Sequence, residues 1–225
     1  MALGFYSEFG ALDFTQAREA YGRARALAPG NAKVLRVSGG FLVSMGQFDE
    51  GISAARRAMA LDPLNRSSHD VLGFGLYFAR RYGEAIRAYA ESITLDPAYQ
   101  EAYGVRGLAY YGLDDLGKAR SSCETKPDYW VSQQCLAVVY DKLGRHADAE
   151  AALAKYRTKA GDAGAYVYAT IYAQWGKRAK ALEWLATAMR LRDSGLVMLK
   201  TDLLMDPLRN EPRFQAIERE LKFPN

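Results

Sequence analysis

Pro29, Pro63 and Pro97 stand 34 residues apart, and each closes an Ala-rich stretch with helical spacing. Other residues recur in phase with them, which is the signature of a chain built from one repeated supersecondary unit. With each proline counted as position 32, position 8 is Gly39, Gly73 and Gly107. Position 20 reads Ala17, Gly51, Ala85 and Ala119, and position 24 reads Tyr21, Ala55, Tyr89 and Cys123. Position 11 supplies Leu42, Leu76 and Tyr110. A glycine inside a helix costs roughly 0.5–1 kcal/mol relative to alanine, so its return at one phase needs a compensating gain. Close approach of two antiparallel helices supplies it: position 8 faces a small residue at position 20 while larger groups fill around them. A single hairpin leaves an apolar flank exposed until the next one stacks on it.

This pattern resembles the tetratricopeptide repeat (TPR) family, whose helix–turn–helix unit has small residues at positions 8 and 20, large ones at 11 and 24, and proline at 32. Repeats one to three end at Pro29, Pro63 and Pro97, and the fourth is shortened, because Pro127 follows after only 30 residues. A fifth repeat reads Leu136, Ala137, Tyr140, Gly144, Ala149 and Leu153. A sixth reads Tyr168, Ala169, Tyr172, Gly176, Ala181, Leu185 and Ala188. The resemblance implies an all-α, right-handed superhelical solenoid of antiparallel helix pairs. About six repeats would occupy residues 1–194, with a C-terminal capping segment at 195–225. In that segment Asp206-Pro207 and Asn210-Glu211-Pro212 precede a stripe of Phe214, Ile217 and Leu221, the pattern of a lid helix. The stretch from Met205 to Ala216 is similar to the tails of TPR modules in bacterial multidomain signalling proteins, which carry a cyclase or winged-helix domain ahead of the repeats. The first helix begins in mid-unit and bears Leu3, Phe5, Tyr6, Phe9 and Leu12. Terminal repeats ordinarily present a polar outer face. The expectation is therefore a chain cut from a longer protein, or an edge that docks on something else.

The chain carries 49% hydrophobic and 25% charged residues, a globular balance. A net charge of +4 invites a nucleic-acid reading, but the basic residues are scattered among acids, as in Glu218-Arg219-Glu220, and that argues against it. No apolar run approaches the roughly 20 residues that span a bilayer. The start lacks the basic region of a signal peptide, so a cytoplasmic site is expected, or a periplasmic one if the array belongs to a membrane-tethered chain.

Catalytic signals are weak, and no enzyme activity, cofactor or metal is expected. Gly112 to Ala119 nearly spells a phosphate-binding loop, but Ala119 stands where Ser or Thr must reach the metal, and no strand precedes it. His69 and His146, the two histidines, lack a partner at ligand spacing. Cys123 and Cys135 fall on helices that should be neighbours. A disulfide is geometrically conceivable, but two buried reduced thiols are the favoured reading.

What remains is the concave face, lined in this family by positions 2, 5, 9, 12 and 13 of each first helix. Here those positions include Arg36, Asp70, Phe74, Tyr77, Phe78, Leu108, Tyr111, Gln134, Val138 and Tyr166. Phe74, Tyr77, Phe78 and Tyr111 are expected to form an exposed aromatic cluster, because positions 8 and 11 already occupy the inward side of those helices. The family's capture of a chaperone carboxylate uses Lys, Asn and Arg at positions 5 and 9. Arg36 alone is compatible, and Asp70 would repel a carboxylate. The expected function is thus a protein-interaction scaffold taking a peptide or partner domain in the groove. The alternatives are an intramolecular regulatory part of a larger signalling enzyme or transcription regulator, self-association through the N-terminal edge, and small-ligand sensing.

Overall fold

The computed structural model describes residues 1–224, and among them every regular element is helical. Six hairpins follow in order. They are α1 (Ala2–Phe5, continued by a π turn over Tyr6–Gly10) with α2 (Phe14–Leu27), α3 (Ala32–Ser44) with α4 (Phe48–Leu61), and α5 (Arg66–Phe78) with α6 (Tyr82–Leu95). Then come α7 (Gln100–Gly112) with α8 (Leu116–Glu124), α9 (Trp130–Lys142) with α10 (His146–Ala160), and α11 (Ala165–Gln174) with α12 (Arg178–Leu191). Two 3₁₀ segments, Ser194–Met198 and Leu203–Leu208, lead to α13 (Pro212–Leu221). The chain divides into two compact units. One holds Met1–Pro97, Val197–Thr201 and the residues from Glu218 onward; the other holds Ala98–Leu196 and Asp202–Ile217.

The phased proline works together with the residue two places on. Proline cannot continue the helix it closes. After Pro29 and Pro63 come Asn31 and Asn65, whose side chains accept from the backbone N–H of Val34 and Ser67 and so cap α3 and α5. Within each hairpin the turn passes through one left-handed residue, always at position 15: Leu12, Gly46, Arg80, Asp114, Gly144 and Gly176, with φ between 50° and 82°. Glycine adopts that conformation freely, whereas Leu12, Arg80 and Asp114 adopt it at a cost of roughly 1–2 kcal/mol.

The contact made by position 8 depends on the size of position 24. In the second hairpin position 24 is Ala55, and the helices close until a Cβ on Gly39 would lie 3.1 Å from the Gly51 carbonyl oxygen and 3.2 Å from the Ala54 Cβ. In the third it is Tyr89, 1% exposed, and a Cβ on Gly73 would lie 2.9 Å from its ring. The expected pairing of position 8 with position 20 therefore holds for Gly39 and Gly51, while Gly73 is required by the tyrosine ring instead. In the first hairpin Gly4 does the same for Tyr21, one place ahead of position 8. The π turn over Tyr6–Gly10 takes up that extra residue before the turn at Leu12.

Cys123 on α8 and Cys135 on α9 are joined as a disulfide, with both side chains wholly buried. This corrects the expectation of free thiols. α9 packs on both α7 and α8, as α5 does on α3 and α4, and this brings Cys135 beside Cys123. α8 itself is short, 9 residues where α4 and α6 have 14. The bridge lies over Gly107, where a Cβ would collide with the Cys123 Sγ.

Candidate functional site

In the second unit, the inner helices α7, α9 and α11 present polar side chains at positions where a core would carry apolar ones. Tyr111 donates its hydroxyl to Gln174 Oε1 at 2.7 Å, and Gln174 Nε2 donates in turn to the Leu204 carbonyl at 2.8 Å. Gln134 Nε2 donates to Thr170 Oγ1 at 2.8 Å. Tyr166 donates its hydroxyl to Asp202 Oδ2 at 3.0 Å, and its backbone N–H reaches Asp193 Oδ2. Asp202 is 6% exposed and caps the 3₁₀ segment by accepting from the Leu204 N–H, while Arg209 donates to its backbone carbonyl. Burial pushes the Asp202 carboxyl up to about 6, opposed by these hydrogen bonds and the Arg209 charge. Burial and the adjacent carboxylate drive the Tyr166 hydroxyl well above its ordinary range. Leu204, Met205, Leu208 and Phe214 complete the segment's attachment and are essentially without solvent contact.

The expected groove residues thus fall into separate groups. Tyr166 bonds Asp202 directly and Tyr111 reaches Leu204 through Gln174, whereas Gln134 bonds Thr170 on α11, and Val138 and Leu108 are buried in the same unit. In the first unit Phe74, Tyr77 and Phe78 form a ring cluster of their own, with Phe74–Phe78 centroids 4.6 Å apart and Tyr77 edge-on to Phe78 at 5.0 Å. Arg36 turns to Asp62 at 3.9 Å, and Asp70 is half-buried. The expectation of an exposed aromatic surface does not hold: Tyr77, Phe78 and Tyr111 are all buried and Phe74 is half-buried. In the second unit residues 203–208 pack on α11, and Gln174 of that helix takes the Tyr111 hydroxyl. Tail residues also belong to the first unit, where Met198 Sδ lies 3.7 Å from Ser44 Oγ and Phe223 stacks on Phe14 at 4.8 Å. Sequence reasoning passed over Thr170 and Gln174, although they occupy positions 9 and 13 of the sixth repeat, and it passed over Asp202.

The apolar surface left open in the first unit is at α1. Leu3, Phe5 and Tyr6 are 48%, 58% and 65% exposed. The Phe5 and Phe9 ring centroids lie 4.8 Å apart with the rings tilted at 40°, and with Ala2, Tyr6 and Gly10 they line an open recess of about 480 Å³. Beneath it Glu8, 2% exposed, accepts from the Tyr21 hydroxyl at 2.8 Å. Burial raises the Glu8 carboxyl to about 7, and the Tyr21 bond only partly offsets that rise. Among the described residues no cluster of three His, Cys, Asp or Glu side chains could hold a metal, and no helix is long and apolar enough to cross a membrane.

No family model matches the chain, and no curated protein matches it. Solved structures do. A crystal structure of MamA is 25% identical over 71% of this chain and 98% of its own, with a TM-score of 0.56. A thermophilic TPR protein in Thermus thermophilus is 18% identical over 84% of this chain and 96% of its own, with a TM-score of 0.65. MamA from Desulfovibrio magneticus, from residue 41 to its end, is 19% identical over 65% of this chain and 85% of its own, with a TM-score of 0.54. The fold is a helical solenoid of TPR type.

Proposed function

We propose that this TPR-type array is a non-catalytic protein-interaction scaffold, and that the surface it offers is the outer side of α1. One observation carries the reading: three large apolar side chains close together, Leu3, Phe5 and Tyr6, stand about half or more exposed beside an aromatic recess. Isolated exposed apolar residues are ordinary, but a contiguous patch with a recess marks a contact site. The repeats themselves indicate what covers such a face. The corresponding side of α3 is met by α2, with the Tyr21 and Phe41 rings 5.2 Å apart, and α5 is met by α4. A helix is therefore the element that fits this face.

The partner assigned to the patch is a second copy of the chain. Protruding rings and a recess within one patch are what a two-fold interface needs, because both copies then contribute the same surface. Light scattering over a concentration series tests this. The wild-type mass should rise from 25.0 kDa toward twice that value. Phe5→Glu should hold the chain at the single-copy mass without changing its helical content, because a carboxylate cannot be buried there unpaired. A wild-type chain that stays at the single-copy mass at every concentration overturns the self-association reading.

The disulfide favours an oxidising compartment over the cytoplasm. A place behind a cyclase or winged-helix domain in a longer signalling protein has only the short tail segment from Met205 to Ala216 in its support.

A further inference from the structure

At α1 the usual polarity of a surface helix is reversed. The side turned onto α2 carries Gly4, Ser7 and Glu8, all buried, whereas Leu3, Phe5 and Tyr6 are exposed. A surface helix ordinarily buries its apolar stripe. Here attachment rests on close approach and hydrogen bonds. Gly4 admits the Tyr21 ring, where a Cβ would lie 2.7 Å away, and Ser7 donates its hydroxyl to Gln16 Oε1. The Asp13 N–H donates to the Ser7 carbonyl at 2.7 Å, and Glu8 accepts from the Tyr21 hydroxyl. With little apolar side chain turned inward, the charge state of Glu8, the one acid of the segment, weighs heavily on whether the segment stays attached.

The π turn that bears Glu8 packs on α1 and α2. From α1 the ionisable group is the amino terminus. From α2 they are Tyr21, Arg18, Glu19, Arg23 and Arg25, with Asp13 at its cap. Asp13 accepts from the Gln16 N–H, and Glu19 pairs with Arg23 at 3.7 Å in an exposed position. Burial is what raises the Glu8 carboxyl, to about 7, and the Tyr21 bond is what opposes the rise. Among the described residues no cation shares in this balance, so an ionised Glu8 is a buried carboxylate held by one neutral hydroxyl.

We propose that Glu8 is a proton latch beneath the α1 edge: protonated, it holds the segment on α2 and keeps the apolar face in shape to pair; ionised, it releases the segment and the face with it. This inference rests on the reading of that face as a pairing surface and adds the condition under which it pairs. The recess depends on the attached form, since the π turn brings Gly10 against the Tyr6 ring and places Phe9 beside Phe5. Detached, Glu8 gives up its proton near 4.5; attached, it keeps it up to about 7. The attached form therefore holds the extra proton in that interval, and attachment is strongest at its acid end. Across the interval the ratio of attached to detached chains falls roughly 300-fold.

Two measurements on the full chain, each at pH 5 and pH 8, separate the latch from the pairing. Hydrogen exchange at a dilution where only single copies are present reads attachment by itself. Protection of the amides at 5–10, corrected for the intrinsic effect of pH, should fall at least about tenfold between pH 5 and pH 8. Glu8→Gln keeps an acceptor for Tyr21 without the charge, and its protection should be the same at both. Light scattering over a concentration series then reads association. The wild-type dissociation constant should be at least about tenfold larger at pH 8, because only the attached fraction pairs. Glu8→Gln should pair equally well at both. Unchanged wild-type protection at 5–10 overturns the latch whatever the masses show, and it decides the matter should Glu8→Gln fail to fold. Wild-type pairing as tight at pH 8 as at pH 5 also overturns it. Single-copy mass at pH 5 for both chains overturns the second-copy reading instead, and the exchange result still judges the latch.

Discussion

Replacing Cys123 and Cys135 together by alanine is expected to lower the folding free energy by about 3 kcal/mol. The bridge closes a loop across 12 residues of sequence, and the chain-entropy account gives roughly that value for a loop of this size. Lost packing of two fully buried sulfurs over Gly107 adds to it. Denaturant midpoints of the two chains measure the difference. Alkylation under denaturing, non-reducing conditions checks the premise, since the wild-type chain should take up no label. Two labelled thiols, or a double variant as stable as wild type, would remove the bridge from the account.

A fall in stability as pH rises from about 4.5 to about 7 is the second large effect. An unfolded glutamate releases its proton near 4.5, whereas buried Glu8 holds its proton up to about 7. Across that window the folded chain binds the extra proton, so stability is fully present at the acid end and is lost as pH climbs through the folded value. The loss is on the order of 3 kcal/mol at 1.36 kcal/mol per unit. Asp202 acts with the same sign between about 4 and 6. Glu8→Gln keeps a hydrogen-bond acceptor for Tyr21 and removes the charge, so the variant should be more stable than wild type at pH 8 and less sensitive to pH. Equal slopes for wild type and Glu8→Gln in denaturant titrations at pH 5, 6, 7 and 8 would contradict the burial of this carboxyl.

Much of the architecture was legible because it is periodic. The interval of the prolines and the small residues at positions 8 and 20 express one packing requirement repeated along the chain, met differently according to the size of position 24. What was not legible lies where the period breaks. Gly4 sits one place out of phase, and nothing in the local composition signals that a π turn absorbs the difference. Cys123 reads as an ordinary core residue at position 24, and although its helix and that of Cys135 are expected to be neighbours, helix spacing alone does not tell a bridge from two buried thiols. Thr170 and Gln174 fell at groove positions by the same phase rule that picked Gln134 and Tyr166, yet they were not among the residues singled out. The aromatic groove failed as an exposed surface for two reasons that period alone does not carry: Tyr77 and Phe78 are buried in a ring cluster of their own, and Tyr111 bonds Gln174, which in turn holds the carbonyl of Leu204 in the aperiodic tail.

The account rests on glycine being required at position 8 by the facing helix, and two alanine substitutions on equivalent first helices test this most directly. Gly73 would bring a Cβ to 2.9 Å from the buried Tyr89 ring, whereas Gly40, in the middle of α3, has open space around it. Chemical denaturation should show Gly73→Ala destabilised by about 1–3 kcal/mol through overpacking. Gly40→Ala should be stabilised by up to about 1 kcal/mol through helix propensity. Effects of opposite sign are the predicted result; two stabilised chains would contradict close helix contact at the repeated glycine.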